Sequence, residues 1–235
     1  SPVLGYGFSA SADLQARHWH QVGGRSRFEV WRRVDGEAVH WLDAELAIPG
    51  RHNVLNALAA IGIASKVGVR AETIQAALAD FRGVGRRFEI LGDFAGITIV
   101  DDYGHHPREL EATLAAARDM WPDRPIVLAF QPHRFSRTRD LFADFVEVLG
   151  KADRSVLLDI YGAGEAAIAG VDSARLAAAV AATGRPADYL PAALDHPELV
   201  LPLLPRGAVL ICAGAGSIAR WAGLWPAVFA RGGEA

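Results

Sequence analysis

Residues 97–107 read Ile97-Thr98-Ile99-Val100-Asp101-Asp102-Tyr103-Gly104-His105-His106-Pro107. The apolar start predicts a strand over 97–100. Pro107 suits the first turn of a helix over 107–120, where its missing N–H is not needed. A strand running through a short polar loop into a helix is one unit of a βα alternation, and the pattern recurs. Residues 126–130 are an apolar run of the kind buried on both faces of a parallel sheet, and a helix over 138–149 follows. A strand at 155–160, an Ala-rich helix at 173–182, a short strand at 187–190 and a helical stretch at 192–204, broken by Pro197 and Pro202, come next. A strand at 208–213 and a helix at 218–229 end the series, and 88–91 is a further strand before it. Such alternation predicts right-handed βαβ units in a mostly parallel, Rossmann-like sheet, whose ligands sit at the carboxyl ends of the strands.

Upstream the character differs. Residues 3–8, 14–22, 28–34 and 38–48 read as antiparallel strands, parted by Gly23-Gly24 and by Asp35-Gly36, a hairpin signal because both residues tolerate positive φ. From 52 to 67 the apolar residues Leu55, Leu58, Ala59, Gly62 and Ile63 recur at helical spacing, with Gly68 as the stop. A second helix is expected over 71–81. Gly83 and Gly85 interrupt the pattern before Arg86-Arg87, which puts a domain boundary near residue 84. The expected fold class is α/β: antiparallel strands plus two helices over 1–84, then the mostly parallel sheet over 85–235.

The chain has 235 residues, 51% hydrophobic and 22% charged, a globular balance. Lys+Arg 24 against Asp+Glu 27 leaves a net charge of −3, so no cationic field for sequence-independent nucleic-acid binding is present. Cys212 is the one cysteine and cannot form an internal disulfide, and the apolar run 208–213 is too short to span a bilayer. No basic segment followed by an apolar run opens the chain. A reducing, cytoplasmic setting is expected, with no nucleic-acid and no membrane partner. Ser1-Pro2 without an initiator Met is read as a processing or cloning boundary.

Three strand-to-helix loops carry chemistry. In 101–107, two carboxylates and two imidazoles suit a ribose, a magnesium ion or a phosphate, with a helix N-terminus behind them that favours anions. The alternative is that Asp102 caps the helix and the histidines are solvated. Adjacent histidines are poor joint ligands for one metal. In Gln131-Pro132-His133-Arg134-Phe135-Ser136-Arg137-Thr138-Arg139-Asp140, three arginines and a histidine form a cradle for phosphate or carboxylate, each guanidinium offering a planar fork of donors. The alternative there is a surface cluster paired with Asp140 and Asp144. The third loop, Gly214-Ala215-Gly216-Ser217-Ile218-Ala219, has the form of a dinucleotide fingerprint, but only 16 residues follow it. A tight turn is the preferred reading, and a nicotinamide-binding oxidoreductase the rival. Cys212 reads as a small buried apolar residue. Asn53 and Asn56, beside His52 on one helical face, fit an adenine edge, unless Asn53 caps its helix. Tyr161-Gly162-Ala163-Gly164-Glu165 is another polar strand end, and His18 and His20 read as surface residues.

Taken in order, Gly50-Arg51-His52-Asn53-Val54-Leu55-Asn56-Ala57-Leu58-Ala59, Arg86-Arg87-Phe88, the 101–107 segment, the 131–140 segment and 161–165 closely resemble the later two thirds of the bacterial Mur ligases. The resemblance covers nearly the whole chain. Departures are small: Phe135 and Ser136 stand where Tyr and Thr are usual, Arg108 where a small polar residue is common, and Gly162 where Pro is frequent. The resemblance implies an ATP-dependent ligase of peptidoglycan synthesis that joins L-alanine to the carboxylate of UDP-N-acetylmuramate through an acyl phosphate, with ATP and Mg2+ as cofactors and small-molecule substrates as its partners. It implies that Asn53 and Asn56 contact adenine, Arg87 faces the ATP phosphates, and Asp102 holds the ribose, with Tyr103 also at the nucleotide. It further implies that His106, His133, Arg134 and Arg137 line the place where nucleotide, muramoyl carboxylate and amino acid meet, the cations there stabilising developing charge.

A phosphate-cradling G-x-x-x-x-G-K-S/T loop is not in the sequence, whose two lysines are Lys66 and Lys151. In the family, a UDP-binding domain and the first half of a central ATPase domain would precede residue 1. The expectation is therefore the end of a central ATP-binding domain over 1–84 and a whole C-terminal domain over 85–235, inactive alone. The main Mg2+ ligands are expected in the preceding part, and none is assigned here. The alternatives are a related ligase of peptidoglycan recycling and a non-catalytic nucleotide-binding module.

Overall fold

Four strands, β1 (Tyr6–Gly7), β2 (Leu14–Val22), β3 (Arg25–Val34) and β4 (Glu37–Leu46), pair in the order β1-β2-β3-β4. The computed structural model describes residues 3–22 and 24–232, so Ser1, Pro2, Gly23 and 233–235 lie outside the described residues, and with them the expected chain start and half of the Gly23-Gly24 turn. The chain divides into two compact units, Ser1–Gly83 and Val84–Ala235. In the first, Asp35 and Gly36 take φ of 48° and 88° and turn β3 back antiparallel onto β4. β1 corrects the sequence reading: it is two residues long and parallel to β2. The reason is local, because the Asp13 side chain accepts the N–H of Gly5 at 2.8 Å while Gly5 O accepts the N–H groups of Asp13 and Leu14.

The period-two alternation of the strands turns Leu14, Ala16, Phe28, Val30, Leu42, Ala44 and Leu46 to one face. That face is covered by Val54, Ala57, Leu58 and Ile61 of α1 (Arg51–Lys66) and by Ile74 of α2 (Ala71–Asp80). Gly68, at φ 83°, ends α1 with paired hydrogen bonds from its own N–H to Ser65 O and from the Val69 N–H to Ala64 O.

The second unit contains β5 (Glu89–Phe94), β6 (Ile97–Asp102), α3 (Pro107–Met120), β7 (Ile126–Phe130), α4 (Phe135–Asp140), α5 (Phe142–Leu149) and β8 (Arg154–Leu157). It continues with α6 (Ser173–Ala182), β9 (Ala187–Tyr189), β10 (Val209–Ala213), α7 (Ile218–Ala222) and α8 (Trp225–Gly232). The sheet order is β5-β6-β10-β7-β8-β9, with every pair parallel except β5 against β6. The last strand of the chain thus fills the centre. All residues of β6, β7 and β10 are buried, because helices cover both faces. Leu110, Leu114, Phe145, Val148, Leu176 and Val180 pack on Val100, Leu128, Phe130 and Ile211. On the other face Ile218, Trp221, Trp225 and Val200 pack on Ile99, Val127, Leu210 and Cys212.

Three helical stretches differ from the sequence reading. The expected 138–149 helix begins earlier and is two helices, because Leu141 at φ −112° turns the chain so that both Leu141 and Phe142 reach the core. The 192–204 stretch is two 3-10 turns, Pro191–Leu194 and Pro197–Leu203, since Pro197 and Pro202 have no N–H for an α-helical ladder. The 218–229 helix is interrupted after Ala222, where Pro226 cannot donate back to it. Among the described residues no helix is long and apolar enough to cross a membrane.

Candidate functional site

Because β6, β10, β7 and β8 are neighbours, the loops that leave their carboxyl ends lie side by side. The end of β10 joins two of them: the Gly214 N–H donates to Asp102 O at 3.1 Å, and the Gln131 N–H to Ala213 O at 3.0 Å.

In the first loop Asp102 is only 4% exposed. Its oxygens accept the N–H of Phe88 at 2.8 Å and of Gly104 at 2.7 Å. Burial pushes its carboxyl above the ordinary value, against those two donors. Asp102 does not cap α3, as the simpler reading had it; His106 does. The His106 ring accepts the Arg108 N–H at 3.3 Å, and Glu109 Oε2 accepts the N–H groups of His105 and His106 at 3.0 and 3.1 Å, closing a capping box. Glu109 also lies 3.8 Å from Arg87 Nη1. Burial would raise the Glu109 carboxyl, but the His105 N–H and the charges of His105 and Arg87 outweigh it and hold it below the ordinary value.

Arg86 is a residue that the sequence reading passed over. Its Nε lies 3.2 Å from Asp101 Oδ2, and another of its N–H groups donates to Gly214 O. Arg86 and Phe88 take φ of 64° and 52°, and strain of this kind costs about 1–3 kcal/mol per residue. The surroundings hold it in place: the Tyr103 N–H donates to Arg86 O at 2.6 Å and the Phe88 N–H to Asp102. The strained pair brackets Arg87, which is exposed, and the guanidinium carbons of Arg86 and Arg87 lie 5.1 and 5.4 Å from the centre of the Tyr103 ring.

A row of rings crosses the sheet edge. Tyr103 and His105 are 5.3 Å apart between centroids, His105 and His133 5.6 Å, and His133 and Tyr161 5.5 Å. The row contains His105, whereas His106 sits at the helix cap. Burial, then the charges of His105, Arg137 and Arg134, push the His133 imidazole below its ordinary value. The Arg137 Nη1 donates to His133 O at 3.3 Å and lies 3.4 Å from His133 Nδ1. Arg134 is exposed at φ 74°, its N–H donating to Tyr161 O at 2.8 Å. Arg139 pairs with Asp140 at 2.7 Å, but among the described residues neither Arg134 nor Arg137 forms an ion pair with Asp140 or Asp144. That leaves the exposed Arg134 beside the half-buried Arg137 and His133, two guanidinium donors of the kind suited to phosphate or carboxylate.

The third loop is a tight turn. Gln131, 2% exposed, accepts the Ile218 N–H at 3.0 Å and donates to Ser217 Oγ at 3.0 Å. A Cβ on Gly214 would lie 2.7 Å from Gln131 O, and one on Gly216 2.5 Å from Gln131 Oε1. These glycines admit the protein's own glutamine, and α7 is only 5 residues long, so the turn does not serve as a dinucleotide fingerprint. Cys212 is fully buried, and burial pushes its thiol well above the ordinary value.

In the first unit, Asn53 is buried and donates to Pro49 O at 2.7 Å; the cap of α1 is Gly50, at φ 99°. Asn56 is exposed and donates to Asn53 Oδ1 at 3.4 Å. His18 and His20 are exposed at a bulge of β2, His18 lying 2.9 Å from Glu29. Among the described residues no group of three or more His, Cys, Asp or Glu side chains is placed to hold a metal ion.

Comparison with known proteins gives this arrangement its setting. The chain is 65% identical over 229 residues to the UDP-N-acetylmuramate--L-alanine ligase of Acidithiobacillus ferrooxidans, covering 97% of this chain and 49% of that protein. It is 47% identical over 232 residues to the protein of the same name from Bordetella petrii, covering 95% and 50%. It thus spans about half the length of the curated relatives it matches. The crystal structure of UDP-N-acetylmuramate-alanine ligase MurC from Thermotoga maritima superposes with a TM-score of 0.80 at 24% identity, over 97% of this chain and 48% of that one. The pattern of the Mur ligase glutamate ligase domain matches residues 86–216, more than half of the chain. Since that match runs from the strained Arg86 through the ring row to the Gly214 turn, the chain belongs to the Mur ligase family.

Proposed function

We propose that this chain is the later half of an ATP-dependent ligase that joins L-alanine to the carboxylate of UDP-N-acetylmuramate, with residues 1–84 ending a central ATP-binding domain and 85–235 forming the C-terminal domain. The observation that carries the reading is the exposed Arg134 with the half-buried Arg137 and His133 after β7, on the same side of the sheet as Tyr103 and Arg87 at the ends of β6 and β5. The 65% identity to a protein of that name supports the substrate choice. When bound, ATP would supply the phosphoryl group that activates the muramoyl carboxylate. The chain's own part is cationic: Arg134 and Arg137 are proposed to stabilise charge on the activated carboxylate and on the tetrahedral species formed by the attacking amine. His133, held low, is neutral at pH 7 and free to accept a hydrogen bond. Arg87 is proposed for the ATP phosphates and Asn53 and Asn56 for adenine. Asp102 and Tyr103 are proposed for the ribose side, Asp102 acting chiefly by fixing the backbone at 88 and 104. The residues present fit the anionic groups of ATP; a Mg2+ ligand set is expected from the other half of the protein. A cytoplasmic setting goes with this reading.

The test is steady-state kinetics in the full-length ligase containing this segment. Arg134→Ala should lower kcat/KM by roughly 10²-fold. An effect below about threefold, or amide formation by the 235-residue chain alone, refutes the reading.

A further inference from the structure

The first turn of α4 is capped from another loop. A helix N-cap is ordinarily Ser, Thr, Asp or Asn, whose side chain accepts one of the unpaired N–H groups of the first turn. Here the cap position holds Arg134, at φ 74° and ψ 134°, with no side-chain cap of its own. An arginine has no acceptor to offer. The acceptor is Glu165: its Oε2 takes the Ser136 N–H at 2.9 Å, and its Oε1 takes the Ser136 hydroxyl at 2.6 Å. The Ser136 hydroxyl and then its N–H draw the Glu165 carboxyl below the ordinary value, so it is ionised at neutral pH.

The two loops are joined by backbone as well. The Arg134 N–H donates to Tyr161 O, and the Tyr161 N–H to Pro132 O, both at 2.8 Å. Ala163 and Gly164, at φ 51° and 88°, then turn the chain so that Glu165 faces back to α4. A Cβ on Gly162 would lie 3.2 Å from the Phe135 ring, which leaves little room between the loops. Segment 161–165 is therefore a brace against the start of α4.

We infer that Glu165 is a positioning residue for ligation: by capping α4 from outside, it allows an arginine to occupy the cap position and fixes that guanidinium at the open edge of the sheet. The inference rests on the proposed function only for its kinetic consequence. In the full-length ligase, Glu165→Ala should lower kcat by tenfold or more while KM for ATP stays within twofold. Glu165→Gln, which keeps one acceptor oxygen, should recover most of that loss. If Glu165 acts through Arg134, the double variant Glu165→Ala with Arg134→Ala is no slower than Arg134→Ala alone. Multiplying losses in the double variant, or a wild-type rate for Glu165→Ala, overturns the inference. A wild-type ligase that does not join L-alanine defeats the functional reading instead, and the brace is then tested on the 235-residue chain by amide hydrogen exchange. There Glu165→Ala should speed exchange at the Ser136 N–H at least tenfold, with the β7 amide of Ala129 unchanged. Unchanged exchange at Ser136 overturns the brace.

Discussion

Replacing Arg86 by Met removes the partner of a buried carboxylate while keeping an unbranched stem that reaches about as far as Arg86 Nε. The Arg86 and Asp101 side chains are 23% and 7% exposed and meet at 3.2 Å. Stripping one partner from a fully buried ion pair costs about 3–5 kcal/mol. The part of Arg86 that reaches water brings this to the lower end, about 2–3 kcal/mol, and the Gly214 carbonyl left without its donor adds about 1 kcal/mol. The expected loss is therefore about 3–4 kcal/mol. It depends on pH in a definite sense. Burial already pushes the Asp101 carboxyl up against the opposing Arg86 charge, and without the arginine it rises further. For a group raised in the folded state, the stability it contributes is fully present below its ordinary value and is lost as pH rises through the folded value. The penalty should accordingly be full at about pH 7.5 and shrink toward about 1 kcal/mol as pH falls to about 3, below the ordinary carboxylate value, where protonation of Asp101 is favoured in both proteins. Urea denaturation followed by the fluorescence of Trp121, Trp221 and Trp225 measures it, and adding Asp101→Asn should restore most of the loss. A loss under about 1 kcal/mol at neutral pH, or an equal loss at both pH values, refutes the reasoning.

Gly216→Ala would push a methyl to 2.5 Å from Gln131 Oε1 and 2.7 Å from Tyr161 Cβ, and should cost about 1–3 kcal/mol in thermal melting; a variant as stable as the parent would mean the turn has slack. The Cys212 thiol should ignore an aromatic disulfide reagent in the folded chain and react once in urea, whereas rapid native labelling would contradict its burial. His133 should titrate below 6.5 in an imidazole NMR titration, so its contribution to stability is present above that value and lost as pH falls. Arg137→Ala should move that titration only partway back, because burial outranks the neighbouring charges.

The sequence makes the strand-to-helix units legible where one physical rule dominates. Ile126–Phe130 is apolar throughout because both faces are covered, Pro107 opens α3, and Asp35-Gly36 takes the positive φ values its residue types permit. What it hides is set by partners far along the chain. Asp102 looks like a ligand or a cap until the Phe88 N–H, fourteen residues upstream, is seen to hold it. Arg86 reads as half of a basic pair, although its roles come from Asp101 and from Gly214, 128 residues away. Glu109 was readable in part, since a polar residue followed three positions later by Glu is capping-box spacing, but histidine is not a usual member. The parallel course of β1 goes with local bonds between Gly5 and the Asp13–Leu14 segment, the Asp13 side chain among them, and no periodicity reports it.

The place of β10 has a consequence for biosynthesis. Val209–Ala213 leaves the ribosome after every other described strand, yet it belongs between β6 and β7. Until it arrives, those two strands cannot take their final spacing, and each keeps an unpaired apolar edge of the kind that recruits other chains. At about 5–20 residues per second, the roughly eighty residues between Phe130 and Ala213 impose a wait of about 4–16 s. Nascent chains should therefore be most prone to aggregate and most in need of chaperones in that interval. A nonsense codon between β9 and β10, after Tyr189 and before Val209, removes the middle strand and leaves the rim strands in place.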